Sequence, residues 1–243
     1  MWWSSLFTDM RPSDFFNFSF LPKYGVAFVR GIEYTLLLAV VSVLLAVIPA
    51  LLLALMRLSK VKPVKWLSGA YIAVFRSTPM LVQLSIIYFG LFYAISLPRV
   101  SLFGFVDISR FVPGVVALAL NSSAYVAEIF RAGILAVDKG QTEAARSLGL
   151  SSWQSMRLVV LPQAIKNVLP ALANEIVTMV KESSICSMLG MAELMFVAKT
   201  VGNGTLITLA PYTVAALIYF CINYPASKAI EAIERRMRRG DKQ

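Results

Sequence analysis

The chain contains no histidine, and its two cysteines, Cys186 and Cys221, form no C-x-x-C pair. Histidine is the usual acid–base group near neutral pH, and zinc sites are built mainly from cysteine and histidine. Histidine-based catalysis is therefore excluded, and neither a zinc site nor a disulfide framework is expected. A G-x-x-x-x-G-K-[ST] phosphate loop is also missing, so we expect no ATP site of that kind, no cofactor and no catalytic residue in this chain.

Charge is scarce as well. Charged residues make up only 15% of the 243 residues, whereas hydrophobic residues make up 58%. Soluble domains carry about 25% charged residues, so this composition is typical of a protein in a bilayer. The net charge of +10 could suggest nucleic acid, but basic residues are also typical of cytoplasmic loops beside anionic lipids. We predict an all-α integral membrane protein.

Five apolar stretches are predicted to span the membrane. The clearest is residues 34–56, which hold no charge and are long enough to cross about 30 Å of hydrocarbon. The other four run over about 66–96, from about 111, over about 166–189 and from about 211 to 227. Residues 191–210 are expected to form a short external segment with a turn at Gly202-Asn203-Gly204.

These stretches divide the chain into an aromatic, interfacial N-terminal segment (1–24), a five-helix domain (25–232) and a basic tail (233–243). Three regions, 57–65, 131–166 and 228–243, together hold 15 of the 23 lysines and arginines. By the positive-inside rule these regions are cytoplasmic. We therefore expect an inner-membrane protein with its N-terminus outside and its C-terminus in the cytoplasm.

A polar loop, residues 137–163, follows the third predicted span. Asp138 is expected to cap a first short helix, and Gly149 to end it in the left-handed conformation. Ser151 and Gln154 fit the capping box of a second short helix. Small side chains at Ala144 and Ala145 would leave an open helical surface, so the loop is predicted to be a docking site for another protein.

The third and fourth predicted spans carry polar residues, which are costly in lipid. Asn121, Tyr125 and Glu128 are spaced by four and three residues, so they share a helical face that should point into the bundle. The fourth span has a similar face, followed by two serines that would permit irregular backbone; its candidate pathway residues are Asn174, Glu175, Thr178, Lys181, Glu182, Ser183 and Ser184. This face is predicted to line a substrate pathway, or alternatively to form hydrogen bonds at a dimer seam.

Two motifs resemble those of a known family. Glu143-Ala144-Ala145, then Gly149, Val159 and Leu161-Pro162, resembles the EAA loop of permeases of binding-protein-dependent ABC importers, with Val159 where isoleucine is usual. Phe75-Arg76-Ser77-Thr78-Pro79 with Gln83 resembles the F-R-G-T-P-x-x-x-Q segment of polar amino acid permeases, with Ser77 in place of glycine. The resemblance covers nearly the whole chain.

This resemblance implies a type I ABC importer permease fold and a transport subunit that is not itself an enzyme. It implies a dimer of identical or related permeases, ATPase subunits that bind ATP and Mg, and an extracytoplasmic binding protein. The implied substrate is a polar amino acid, with cystine and basic amino acids as candidates. The residues expected to contact the ATPase are Gln141, Glu143, Ala144, Ala145, Gly149, Leu150, Ser151, Trp153, Leu161 and Pro162.

The resemblance also adds Arg76, Thr78 and Gln83 to the candidate pathway. Arg76 is expected either to contact substrate or to reach the membrane surface or another subunit. An alternative function is a proton-coupled secondary amino acid transporter that uses intramembrane glutamates. The chain's small size, its five predicted spans and the lack of a visible inverted repeat argue against this alternative. An intramembrane enzyme is disfavoured because no catalytic motif is present.

Overall fold

The computed structural model describes residues 16–95 and 97–239, which form a helical protein. The helices are α1 Leu21–Leu58, α2 Lys62–Ser77, α3 Met80–Ser85, α4 Ile108–Leu135, α5 Lys139–Ser147, α6 Ser152–Ser155, α7 Leu161–Glu182, α8 Leu194–Thr205 and α9 Ala210–Arg239. A π-helical segment, Ile86–Phe92, continues α3. The short antiparallel strands β1, Ser101–Leu102, and β2, Val106–Asp107, join it to α4. The all-α expectation is confirmed; residues 1–15 and 240–243 of the predicted terminal segments lie outside the described residues.

Helices α1 and α4 form the central pair of the fold. Small buried residues, including Ala46 and Ala50 of α1 and Ala124 of α4, let the two backbones approach closely. Tyr34 closes one end of this core, with its ring edge against Phe111 at a centroid distance of 5.7 Å. The other helices pack around this pair, so α1 and α4 position the polar faces described below.

Two single helices are long and apolar enough to cross a membrane, α1 and α4, within the residues that the structure describes. The number rises to four if each of two bent helix pairs is one span, α2 with α3 and its π-helical extension, and Ser152–Leu189 with α8. Helix α9 is 30 residues long, but its second half carries several charges. The count of five spans stays a prediction.

The second predicted span is not one continuous helix. It bends by 105° between α2 and α3, at Thr78 and Pro79. Proline has no N–H to donate and disfavours helical backbone in the residue before it, and Thr78 accordingly has an extended ψ of 144°. Both halves therefore belong to a bent element rather than to a straight span.

The predicted turn at Gly202-Asn203-Gly204 is wrong, because these residues lie inside α8. Glu193 caps this helix by accepting hydrogen bonds from the backbone N–H groups of Met195 and Phe196 at 2.9 and 2.6 Å. Gly202 is buried, and a β-carbon there would contact the carbonyl oxygen of Ile207. Its small size serves close packing, so the segment 191–210 is largely a packed helix rather than a loop.

Candidate coupling surface and translocation path

The turn between α5 and α6 forms as its residues predict. The Asp138 side chain accepts a hydrogen bond from the Gly140 N–H at 2.7 Å and caps α5. At the other end Gly149 has φ +84°, and two backbone bonds close the helix, from Gly149 N–H to the Arg146 carbonyl and from Leu150 N–H to the Ala145 carbonyl. This double closure is the Schellman motif, which holds the turn rigidly.

The second helix of the loop begins with the predicted capping box. Ser151 N–H donates to Gln154 Oε1 at 2.8 Å, and Gln154 N–H donates to Ser151 Oγ at 3.2 Å. The chain then stays helical through a π-helical turn, Met156–Val160, into α7. The helix that contains the predicted fourth span therefore begins well before residue 166, because Pro162, near the start of α7, does not break it.

Large apolar side chains project from both sides of the Gly149 turn. Leu148 is 84% exposed and Trp153 is 71% exposed. The predicted open surface holds for Ala144 but not for Ala145, which is 4% exposed and packs inward. Leu148 was missed by the motif comparison, although an apolar residue beside a left-handed glycine was visible in the sequence.

The other predicted coupling residues also surround this turn. Gln141 accepts a hydrogen bond from Gln163 Nε2 at 3.3 Å, which links α5 to the beginning of α7. Glu143, Leu161 and Pro162 are exposed. The loop thus combines a polar rim with an apolar tip on capped short helices.

Three predicted pathway residues instead hold the bend between α2 and α3. Gln83 Nε2 donates to the Phe75 carbonyl, the Thr78 carbonyl and Thr78 Oγ1 at 2.8 to 3.0 Å. Asn121 Nδ2 donates to Gln83 Oε1 at 2.8 Å. Gln83 and Asn121 are buried. We call this set of bonds the Gln83 clamp; Gln83 and Asn121 are enclosed within it, whereas Thr78 stays exposed.

The predicted polar face of α4 is divided. Asn121 points inward, but Tyr125 is 38% exposed and opens onto a cleft, so the expectation that the whole face points into the bundle is wrong. Arg76 lies over the Tyr125 ring, with its Cζ 5.2 Å from the ring centroid. Glu128 binds Arg131, one helical turn further on, at 2.7 Å.

The polar face of α7 is uncovered in the single chain. Asn174, Lys181 and Glu182 are exposed, and Thr178 is half-buried between them. Glu175 lies to one side and accepts a hydrogen bond from Ser122 Oγ of α4 at 2.8 Å. A helix with such a face is stable at bilayer depth only beside water or another protein chain.

The irregular backbone predicted after α7 is present. Ser183 and Ser184 begin a 3₁₀ helix, Ser183–Leu189, and their hydroxyls donate to the carbonyls of Val180 and Lys181. Gly190 ends this segment at φ +72°. The two serines are thus satisfied locally by backbone carbonyls.

A groove of about 420 Å³ lies between α7 and α9. Lys181 reaches it from α7, and the polar lining residues from α9 are Tyr219, Asn223, Tyr224, Ser227, Lys228 and Glu231. The carboxamide oxygen of Asn223 has no hydrogen-bond partner among the described residues. These α9 residues were not predicted from the sequence, although Asn223 and Ser227 stand out among the apolar residues that precede the charged end of the helix.

The fold matches that of type I ABC importer permeases. A chain of the MetNI methionine ABC transporter in an inward-facing conformation superposes with a TM-score of 0.65 at 18% identity, over 87% of this chain and 98% of that chain. A chain of an amino acid ABC transporter solved with histidines superposes with a TM-score of 0.81 at 46% identity, over 90% of this chain and 98% of that chain.

Sequence comparisons agree with this fold. The arginine transport system permease protein ArtQ of Bacillus subtilis is 41% identical over 88% of this chain and 93% of its own length. The putative glutamine transport system permease protein GlnP of Rickettsia typhi is 39% identical over 90% and 95%. Residues 42–239 match the model of the family described as the binding-protein-dependent transport system inner membrane component. This chain belongs to that family.

The chain is therefore a multi-pass inner-membrane permease subunit of an amino acid ABC transporter. The comparisons give no support to a proton-coupled secondary transporter.

Proposed function

We propose that this chain forms half of the membrane path of an importer that moves a basic amino acid into the cytoplasm. Separate ATPase subunits bind ATP and Mg and dock on residues 137–163, and an extracytoplasmic binding protein delivers the substrate. A second permease, identical or related, completes the path. The N-terminus is outside and the C-terminus is in the cytoplasm, which places the docking loop on the side where ATP is available.

The observation that carries this proposal is the exposure of Leu148 and Trp153 on a rigid, capped turn. Large apolar side chains that project from a polar surface favour a protein partner. Aromatic side chains are also enriched among the residues that contribute most to binding. Because α6 continues into α7 without a helix break, a movement of the loop would be passed directly to the pathway helix.

The pathway in this proposal is the polar face of α7 together with the groove between α7 and α9. The face exposes Asn174, Lys181 and Glu182, and Lys181 also lines the groove. Water or a second permease would cover these groups, as their cost in lipid requires. Gln83, Asn121 and Thr78 shape the neighbouring bend, and Ser183 and Ser184 shape the end of α7, so these residues support the path without contacting substrate.

A basic amino acid is the proposed substrate because two relatives of more than 40% identity are described with arginine and histidine. The relatives described with glutamine are slightly less identical, at 36 to 40%. Reconstituted transporter with its binding protein should take up labelled arginine, and unlabelled histidine should compete better than glutamine or cystine. Stronger competition by glutamine or cystine would contradict the proposed substrate.

Docking is tested by co-purification of the tagged permease with the ATPase, using Leu148→Asp. The matched control is Leu206→Asp, because Leu206 is 88% exposed but lies in the segment placed outside the cell. We expect Leu148→Asp to remove the ATPase and Leu206→Asp to retain it. Equal retention in both variants would contradict docking on this loop.

A further inference from the structure

A cleft of about 460 Å³ lies between α1, α2 and α4, apart from the groove and the docking loop. Its lining includes Arg57, Gly69, Arg76, Tyr125 and Glu128. The two arginines come from different helices, Arg57 from the last turn of α1 and Arg76 from the last turn of α2. They therefore face one space from two sides.

The cleft carries excess positive charge. Among the residues that the structure describes, neither Arg57 nor Arg76 has a carboxylate within ion-pair distance. Glu128 also faces the cleft, but Arg131 binds it at 2.7 Å and neutralises it. Charged side chains near the membrane are costly unless they are paired or reach water. Because neither arginine is paired with a carboxylate in the described part of the chain, the cleft favours binding of an anion.

The backbone provides space for one of these arginines. A β-carbon at Gly69 would lie 2.9 Å from Arg57 Nη1, so the missing side chain leaves room for the guanidinium against α2. Arg76 is held separately, over the Tyr125 ring. A guanidinium held in this way presents its N–H groups in the fork that suits phosphate oxygens.

The surroundings of the cleft indicate where the anion comes from. Trp66 and Val74 of α2 are 72% and 58% exposed and lie beside the cleft-lining face of that helix. The basic loop that includes Lys60 follows α1 directly, at the proposed cytoplasmic end. A positive cleft beside exposed apolar side chains at this depth matches the two parts of a lipid, its headgroup and its acyl chains.

We propose that this cleft binds the phosphate of an anionic phospholipid of the cytoplasmic leaflet through Arg57 and Arg76. The choice of leaflet rests on the orientation given under the proposed function, whereas binding itself does not. Arg76 is then a lipid ligand, and its place in the F-R-S-T-P segment serves the membrane face of the protein rather than the substrate.

The test is lipid binding to the purified complete transporter in detergent. Phosphatidylglycerol is titrated and the bound lipid is counted by native mass spectrometry, with phosphatidylcholine as the reference. Arg57→Gln and Arg76→Gln should each lower the apparent affinity for phosphatidylglycerol about tenfold, the order expected for the loss of one hydrogen bond between charged groups. Lys60→Gln is the matched control, because Lys60 is exposed in the same basic region but does not line the cleft; it should bind as the wild type does.

The Gly69→Ala variant tests whether the position of the Arg57 guanidinium matters, because it leaves the charge of the cleft unchanged. Alanine favours the helix, so the fold should hold, but the new methyl group displaces the Arg57 guanidinium while the charge stays the same. We expect this variant to lose affinity for phosphatidylglycerol as well. Unchanged binding in the two arginine variants, or an equal loss in Lys60→Gln, would overturn the proposal.

Inorganic phosphate provides the last arm of the test. If millimolar phosphate displaces phosphatidylglycerol completely, the cleft holds a free anion and the lipid assignment is wrong; if it does not, the acyl chains contribute and the lipid is supported. The measurement needs no transport and no particular orientation. Labelling of an introduced cysteine in the C-terminal tail tests orientation separately, so either proposal can fail alone.

Discussion

The chain changes direction at two places that use polar residues in opposite ways. At the α2–α3 bend, the Gln83 clamp binds side chains and carbonyls to one another, and Gln83 and Asn121 are buried. At the α5–α6 turn, the backbone and Ser151 close the turn locally, and Leu148 and Trp153 stay exposed. At the bend, the hydrogen-bonding groups are all paired within the protein. At the turn, two large apolar side chains remain exposed and available to a partner.

This difference separates the two motifs that marked the sequence. Both the segment ending at Gln83 and the segment around Gly149 match family motifs, but a shared motif alone does not distinguish a structural joint from an interface. Burial and satisfied hydrogen bonds indicate a joint at Gln83, because a buried amide with all its partners has none left for a ligand. Exposed apolar area on a rigid support indicates an interface at Gly149.

The largest effect is expected from Gln83→Leu. This change removes the acceptor of Asn121 and the donor to the Thr78 carbonyl inside the protein. Asn121 Nδ2 keeps only its longer bond to the Phe75 carbonyl, at 3.3 Å. Because an unsatisfied buried polar group costs about 1–3 kcal/mol, stability should fall by up to about 3 kcal/mol. Thermal unfolding of the purified complex measures the loss, and Gln163→Leu on α7 is the control. Equal unfolding temperatures in the two variants would show that the clamp does not hold the bend.

A smaller but more specific effect is expected from Trp153→Ala. If Trp153 is a central contact, its truncation weakens ATPase binding by about 2 kcal/mol, roughly thirtyfold. Trp66→Ala is the matched control, because Trp66 is 72% exposed against 71% for Trp153. ATPase retention across a dilution series gives the comparison. Similar ATPase retention in both variants would show that Trp153 is not a central contact with the ATPase.

Gly149→Ala should have a milder effect on the same interface. Nothing lies within 4 Å of a β-carbon at this position, so the cost comes only from the left-handed φ of +84°. That conformation costs a residue with a side chain about 1 kcal/mol, which corresponds to about fivefold weaker ATPase retention. Gly204→Ala is the control, since Gly204 also has open space but no positive φ. A loss in both variants would point to a general effect of added methyl groups.

Local signals in the sequence predicted the α5–α6 turn closely. Asp138, Gly149 and the pair Ser151 and Gln154 act through backbone groups within four residues, so short-range rules suffice for them. Pro79 marks a helix boundary by the same kind of rule. The 105° angle of the bend does not follow from such rules, because Asn121 reaches Gln83 from 38 positions away.

Predictions at glycine and alanine were wrong where tertiary packing determines the conformation or the exposure of the residue. Gly202 favours a turn by itself, but in the fold it allows a close approach inside α8. Ala144 and Ala145 look equivalent in the sequence, yet only Ala145 faces inward, because neighbouring residues of a helix differ in direction by about 100°. The groove residues of α9 were not predicted because the groove forms only when α9 packs beside α7, which contributes Lys181.

The smallest effect is expected at the pair Lys228 and Glu231, past the predicted membrane end of α9. Hydrogen bonding and charge at 2.9 Å raise the pKa of Lys228 and lower the pKa of Glu231, and both side chains are exposed. Stabilisation by Glu231 is present above its ordinary pKa and is lost as pH falls through its lowered value. Stabilisation by Lys228 is lost only as pH rises through its raised value.

Lys228→Gln should therefore leave the unfolding temperature nearly unchanged, and independent of pH between about 6 and 9, because exposed ion pairs contribute little. The same thermal measurement as for Gln83→Leu compares an exposed polar contact directly with a buried one. A loss as large as that of Gln83→Leu would show that the Lys228 side of the groove is covered in the assembled transporter. The groove would then be an interface with a second permease rather than a water-lined path, because only burial makes such a pair costly to break.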